Sequence, residues 1–121
     1  MLKKRILIVD DDKSQLSTTR ALLELAGYEI KVHDTPFRTM EIIHTWQPHL
    51  VLLDINMPGL AGDRLCSLIR SNRRINTMVL LHSSNDENSL RLAVEEHGAD
   101  GYVCKGDIAG LRRKVGELLL S

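Results

Sequence analysis

Four short apolar runs in this chain end on polar residues able to do chemistry together. Asp10, Asp11 and Asp12 follow Ile6-Leu7-Ile8-Val9, and Asp54 follows Leu50-Val51-Leu52-Leu53. Ser83 follows Met78 to His82, and Lys105 follows Tyr102-Val103-Cys104. Singly these are ordinary residues: Asp12 reads as a helix cap, Ser83 as a turn residue and Lys105 as a solvated amine. Converging carboxylates repel, so they must take up protons or hold a cation. An oxygen-only ligand set without nearby Cys or converging His favours Mg²⁺ over zinc, and Mn²⁺ can stand in its place. A divalent cation, a hydroxyl and an ammonium around one carboxylate match the charge of a transferring phosphoryl group. Asp54 would then be the nucleophile, forming an acyl phosphate.

These residues converge only if the elements before them are parallel neighbours. The run Pro48 to Gly59 is central: four apolar residues read as a strand buried on both faces. Met57-Pro58-Gly59 then stops it close to Asp54, since proline lacks a ladder N–H and glycine permits a sharp turn. Ile6 to Val9, Met78 to His82 and Gly101 to Cys104 read likewise as strands, and Glu29 to His33, with Ile30 and Val32 alternating, as one nearer the sheet edge.

Amphipathic segments alternate with the strands. Lys13 to Ala26 places Leu16, Thr19, Leu22, Leu23 and Ala26 at helical spacing before Gly27. Thr35-Pro36 predicts an N-cap and first helical proline, opening a helix to Trp46 with Phe37, Met40 and Ile43 inward. A third helix follows Gly62, with Leu65, Leu68 and Ile69, to about Asn72. Ser84 and Glu87 stand at capping-box spacing before a fourth, which Gly98 stops. Asp107 caps a fifth, with Ile108, Leu111, Val115, Leu118 and Leu119 on one face and Gly110 and Gly116 weakening it. Five strands alternating with five helices predict an α/β domain with a parallel sheet covered on both faces. Ligands of such sheets bind beyond the carboxyl ends of the strands, where Asp10, Asp54, Ser83 and Lys105 fall.

Composition narrows the classes. The chain has 121 residues, enough for one domain, and 43% hydrophobic content argues against disorder. Sixteen acidic and sixteen basic residues cancel, so no general basic field invites nucleic acid or an anionic membrane. No run approaches the roughly 18 apolar residues of a membrane span, and the basic start leads into a four-residue apolar run rather than a targeting segment. A cytoplasmic location is expected. Cys66 and Cys104 lack zinc-site spacing and read as reduced, structural thiols.

Ile6 to Asp11, Leu50 to Gly59, Ser83 and Gly98-Ala99-Asp100-Gly101-Tyr102-Val103-Cys104-Lys105 together resemble the CheY-like receiver domain of bacterial two-component response regulators. The resemblance covers the chain, 1–121, as a single domain with no output domain visible. It implies the flavodoxin-like (βα)5 fold with strand order 2-1-3-4-5, an order that periodicity leaves open. It also implies that Asp54 is the phospho-acceptor and that Mg²⁺ is held by Asp10, Asp11, Asp54 and the backbone carbonyl of Asn56. By the same resemblance, Lys105 is expected to bind the phosphate, and Ser83 and Tyr102 to be the switch residues. A sensor histidine kinase or histidine phosphotransfer protein is the expected donor and a downstream protein the target, with no direct nucleic acid contact and no membrane insertion. The resemblance implies that the domain is not a separate enzyme and catalyses only its own phosphoryl transfer and dephosphorylation.

Three departures from the family pattern carry expectations of their own. Gly106 replaces the usual proline after the lysine, predicting a freer loop and a less firmly aimed Lys105. Ala61 replaces the aspartate before Gly62, leaving Asp63 as a displaced acid at the helix start. Ser84 and Asn85 replace the residues after the switch hydroxyl; Ser84 is expected to narrow access to the phosphoryl group and alter dephosphorylation. The alternative reading is a pseudo-receiver interaction module that docks without phosphorylation. An aspartyl-phosphate phosphatase needs a second acid where Asn56 stands, and a flavin carrier would not place Asp10-Asp11-Asp12 against a phosphate.

Overall fold

A computed structural model describes residues 2–120; Met1 and Ser121, the two ends of the expected domain, lie outside the described residues. The elements run β1 (Arg5–Val9), α1 (Lys13–Leu25), β2 (Glu29–His33), α2 (Thr39–Trp46), β3 (Leu50–Leu53) and α3 (Gly62–Ser71). Then come β4 (Met78–Ser83), α4 (Glu87–His97), β5 (Gly101–Cys104) and α5 (Ile108–Leu120). All strand pairs are parallel, in the order β2-β1-β3-β4-β5. This is the flavodoxin-like arrangement expected.

The continuous apolar runs follow from burial on both faces. Leu7, Val9, Val51, Leu53, Val79 and Leu81 point to one side and pack with Ile43 of α2, Leu65, Cys66 and Ile69 of α3, and Leu90 of α4. Ile6, Ile8, Leu50, Leu52 and Leu80 point to the other and meet Leu16 and Leu23 of α1 and Leu111, Val115 and Leu119 of α5. Each fully buried aliphatic side chain stabilises the fold by about 1.5–3 kcal/mol relative to exposure. The register is therefore fixed: a one-residue slip would exchange the two layers. With Val9 opposite Leu53, and Leu53 opposite Leu81, β1 and β3 end at one level, and β4 runs on two residues further to Ser83, paired with Cys104 of β5.

The second and fourth helices begin later than expected. Thr35 does not cap α2; its hydroxyl accepts from the Phe37 N–H at 3.3 Å in a local turn. Arg38, in the left-handed region at φ 67°, forms the actual N-cap. Phe37 consequently stays 56% exposed instead of facing inward, its ring lying over Gly59 in the β3–α3 loop. Likewise Asp86, not Ser84, caps α4, accepting from the Ser89 N–H at 2.9 Å and its hydroxyl at 3.0 Å.

Asp107 caps α5 through the Gly110 N–H, at 2.9 Å. A Cβ at Gly110 would collide with that same carboxylate, whereas one at Gly116 meets nothing within 4 Å. Gly116→Ala is therefore expected to stabilise the domain by about 0.5–1 kcal/mol, measured by urea unfolding. Among the described residues, no helix is long and apolar enough to cross a membrane.

Candidate functional site

The site lies beyond the carboxyl ends of β1, β3, β4 and β5. Two hydrogen bonds extend the ladders past the strands: Asp10 N–H donates to the His33 carbonyl at 3.1 Å, and Asp54 N–H to the Val9 carbonyl at 3.0 Å. Both aspartates are thereby held as tightly as strand residues, and their side chains are only 3% and 4% exposed as residues. Asp11 remains exposed. Asp10, Asp11 and Asp54 each offer a carboxylate oxygen, all within 4.8 Å of one another. Asp12 turns away to cap α1, accepting from Ser14 and Gln15 N–H at 3.0 and 3.3 Å, the cap role read from the sequence.

Lys105 is the cation among these acids. Its ammonium lies 2.8 Å from Asp10 Oδ2 and 3.5 Å from Asp54 Oδ2. The expectation of a loosely aimed lysine is corrected here: its backbone N–H donates to the Ser83 carbonyl at 2.8 Å, and two carboxylates hold its far end. Gly106 then turns the chain at φ +95° with open space around it, so the glycine supplies a left-handed turn without freeing the lysine.

The electrostatics are unbalanced. Asp54 is pushed up from 3.8 to about 6, foremost by burial; Lys105 opposes this, Asp10 adds to it, and the Asn56 N–H, 3.3 Å from Oδ1, opposes it. For Lys105, burial is the largest influence and acts against its charge. The Asp10 hydrogen bond and the charges of Asp54 and Asp10 outweigh it, holding the amine above its ordinary value. Three converging hard-oxygen ligands with one ammonium between them suit a small divalent cation such as Mg²⁺.

Asp54→Asn tests this imbalance. A carboxyl raised in the folded state contributes its stability below the unfolded value and loses it as pH rises through the folded one. The displacement from 3.8 to about 6 corresponds at neutral pH to about 3 kcal/mol against the ionised form. In chelator-treated buffer the amide variant is expected to be about 2 kcal/mol more stable than the parent at pH 7, with Lys105 still paired to Asp10. The gap should close as pH falls from 6 to below 4, as chemical unfolding at several pH values would show.

Ser83 is fully buried at the end of β4. Its hydroxyl accepts from the Asn85 N–H and from the Asn56 side-chain amide, both at 3.2 Å. Asn56 also donates to Asn85 Oδ1 at 2.8 Å, so two amides bridge the β3–α3 and β4–α4 loops beside Asp54. The sequence did not signal this bridge, because it needs two loops to meet. Ser84, expected to narrow access, is exposed. Tyr102 faces away from the aspartates, its hydroxyl donating to Glu87 Oε1 at 2.7 Å. Asp63 also lies apart from them, with its carboxylate accepting from Arg64 N–H and 3.5 Å from His97 Nε2. His82 is a packed core side chain as expected, driven down to about 4 by burial and then by Lys105, hence neutral.

Gly62 is a positioning residue not singled out from the sequence for this role. Its N–H donates to the Ile55 carbonyl at 2.9 Å, drawing the start of α3 against the end of β3. A Cβ there would overlap the Asp54 carbonyl oxygen and crowd its carbon.

Residues 6–115 match the family model described as the response regulator receiver domain. The chain belongs to that family. This receiver domain is 32% identical over 104 residues to the DNA-binding response regulator MtrA of Mycolicibacterium smegmatis, covering 86% of the chain and 45% of the relative. It is 33% identical over 101 residues to the response regulator MprA of a Mycobacterium species, covering 84% and 44%. It thus spans less than half the length of these curated relatives. Among solved structures, a CheY-like receiver domain protein from Methanospirillum hungatei is 29% identical with a TM-score of 0.85, covering 96% of this chain and 93% of that one. The receiver domain of a DNA-binding response regulator from Colwellia psychrerythraea gives 25% and 0.87, covering 98% and 100%. The fold and the two-component signalling class read from the sequence are those of these relatives.

Proposed function

We propose that this receiver domain accepts a phosphoryl group on Asp54 and signals through a changed docking surface. The donor is the phosphohistidine of a sensor histidine kinase or histidine phosphotransfer protein, and the domain works in the cytoplasm on a downstream protein target. Its balanced charge favours protein partners over nucleic acid. The observation that carries the reading is Lys105 Nζ between Asp10 and Asp54, a positive charge beside a buried nucleophile with further carboxylates around it.

Asp10, Asp11, Asp54 and the Asn56 backbone carbonyl would hold Mg²⁺. When bound, it supplies positive charge to the equatorial oxygens of the transferring group. An Asp54 oxygen attacks phosphorus in line, the P–O bond forms as the P–N bond to the donor imidazole breaks, and that nitrogen leaves with the electron pair. Lys105 offers its ammonium to the phosphoryl oxygens, which add about −1.5 to −2 charge. Asn56 cannot donate a proton to a leaving group, so the reading does not extend to phosphomonoester hydrolysis.

The response begins at hydrogen bonds already made. To turn toward the phosphoryl group, the Ser83 hydroxyl must release the Asn56 and Asn85 donors. Tyr102, moving inward behind it, must give up Glu87 in the first turn of α4. The surface of α4, β5 and α5 then changes together, which is what a partner reads.

Incubation with Mg²⁺ and a small phosphodonor, followed by intact-protein mass measurement, is expected to show one phosphoryl adduct that disappears on chelation before mixing and in Asp54→Ala. An adduct that persists in Asp54→Ala would overturn the assignment.

A further inference from the structure

The three strands that deliver Asp10, Asp54 and Ser83 begin, at the opposite end of the sheet, around a second concavity. It measures about 590 Å³, between the end of α2, the starts of β1 and β3, and the α3–β4 loop. That volume is in the range that holds a small organic ligand. Although the whole chain has as many acidic as basic residues, neither Asp nor Glu lines this cleft, while Arg5, Arg74, His44 and His49 do.

The hydrogen-bond inventory is one-sided. Arg5 spends part of its guanidinium on the carbonyls of Trp46 and Gln47, at 2.7 to 3.2 Å. The Arg5 backbone N–H donates to His49 Nδ1 at 3.0 Å, which places the proton of the neutral ring on Nε2, a donor. Burial, then the charges of Arg5 and Lys4, hold His49 below its ordinary value. The Arg74 guanidinium forms no ion pair among the described residues. Independently, Thr77, only 3% exposed, lines the same cleft, and its hydroxyl is the one buried side-chain polar atom without a partner among the described residues. That oxygen is itself sealed from the cleft, so a ligand would be recognised by the accessible donors of the wall instead. Met40, Ile43 and Ile75 give the wall an apolar part, beside the amide side chains of Gln47, Asn72 and Asn76.

We infer that this cleft is a binding site for a small organic anion, a phosphate- or phosphonate-type dianion carrying an apolar body. The anionic group meets Arg74, Arg5 and the His49 Nε2–H, and the body lies on Met40, Ile43 and Ile75. Donor-only cationic groups bind such oxygens by charge-assisted hydrogen bonds. The site is separate from the acidic one at Asp54, which repels anions when no cation is bound.

Phenylphosphonate is a suitable probe, since it has both features and no transferable phosphoryl group. In chelator-containing buffer, amide and histidine ring signals should be followed by NMR as it is added, with inorganic phosphate and chloride compared at matched ionic strength. Shifts are expected at Asn72 to Thr77 and at the His44 and His49 rings, but not around Asp54. Phenylphosphonate should bind about tenfold more tightly than phosphate through the apolar wall. Arg74→Gln, which removes an exposed and unpaired guanidinium, should weaken binding about tenfold with unchanged unfolding temperature. Shifts scattered over surface lysines and arginines, reproduced by chloride, equal for phosphate, or unaffected by Arg74→Gln would overturn the assignment.

Discussion

Gly62→Ala is expected to destabilise the domain by about 3 kcal/mol and lower its unfolding temperature by roughly 10 °C. One methyl group has this effect because of where it would go. The new Cβ meets the Asp54 carbonyl oxygen and carbon, and then the Ile55 Cα. All are backbone atoms at the end of a fully buried strand, so no flexible side chain can give way. The Gly62 N–H to Ile55 bond, at 2.9 Å, ties the two segments together; α3 cannot back off without breaking it. The displacement falls on the Asp54 peptide, and its carboxylate moves relative to Lys105. Phosphorylation should therefore fall even in the fraction that remains folded, with small positional errors at a reacting group being costly. Gly116→Ala is the control for helix propensity, since it adds the same methyl to a helix facing open space and is expected to stabilise. Thermal unfolding of both variants, with adduct formation measured well below the transition, separates the two effects. Small stabilisations of similar size in both variants would show that the close approach at Gly62 relaxes freely.

What the sequence reveals and what it hides divide along physical lines. Apolar runs such as Leu50 to Leu53 and the helical spacing of Leu16 to Leu23 report burial directly, so the layers and the convergence of Asp10, Asp54, Ser83 and Lys105 were legible. Helix starts were less so, because caps compete locally. Thr35-Pro36 carries a strong N-terminal signal, but the chain needs further residues to carry Phe37 across Gly59 before Arg38 turns it into α2. At α4, Ser84 and Asp86 were both eligible, and the acid that bonds Ser89 twice prevails. Lys105 looked loose when only Gly106 was considered. Its aim is set instead by a backbone bond to Ser83 and by two acids more than fifty residues earlier in the chain. Asp63 shows the converse: its position at the start of α3 was readable, but its partner, His97, lies at the end of another helix. Gly62, Asn56 and Asn85 act through contacts between loops, for which a linear pattern has no signal.

Lys105→Met is expected to separate stability from chemistry at the same site. The thioether keeps most of the length and apolar stem of lysine while removing its charge, leaving Asp10 and Asp54, 3% and 4% exposed, without their cation. Removing one member of a buried charge group costs more than the group contributes when intact, about 3 kcal/mol here at pH 7. Lys105 is also the principal charge holding Asp54 down against burial and Asp10, so in the variant the Asp54 carboxyl rises further. By the sign of that shift, the loss grows as pH rises from about 6 through the raised value and fades below 6, where Asp54 carries its proton with or without the lysine. Millimolar Mg²⁺ should recover much of the stability at pH 7 by replacing the lost positive charge. It should not recover phosphorylation, since the ammonium would act on phosphoryl oxygens that appear only when the donor arrives. Loss of one such preorganised group is expected to slow adduct formation by about 10²–10³-fold. Unfolding and adduct formation, each measured at pH 7 with and without Mg²⁺, give four numbers. If stability and rate return together, Lys105 is a charge balance for the folded state and the phosphate role falls; if only stability returns, its ammonium acts in the transfer itself.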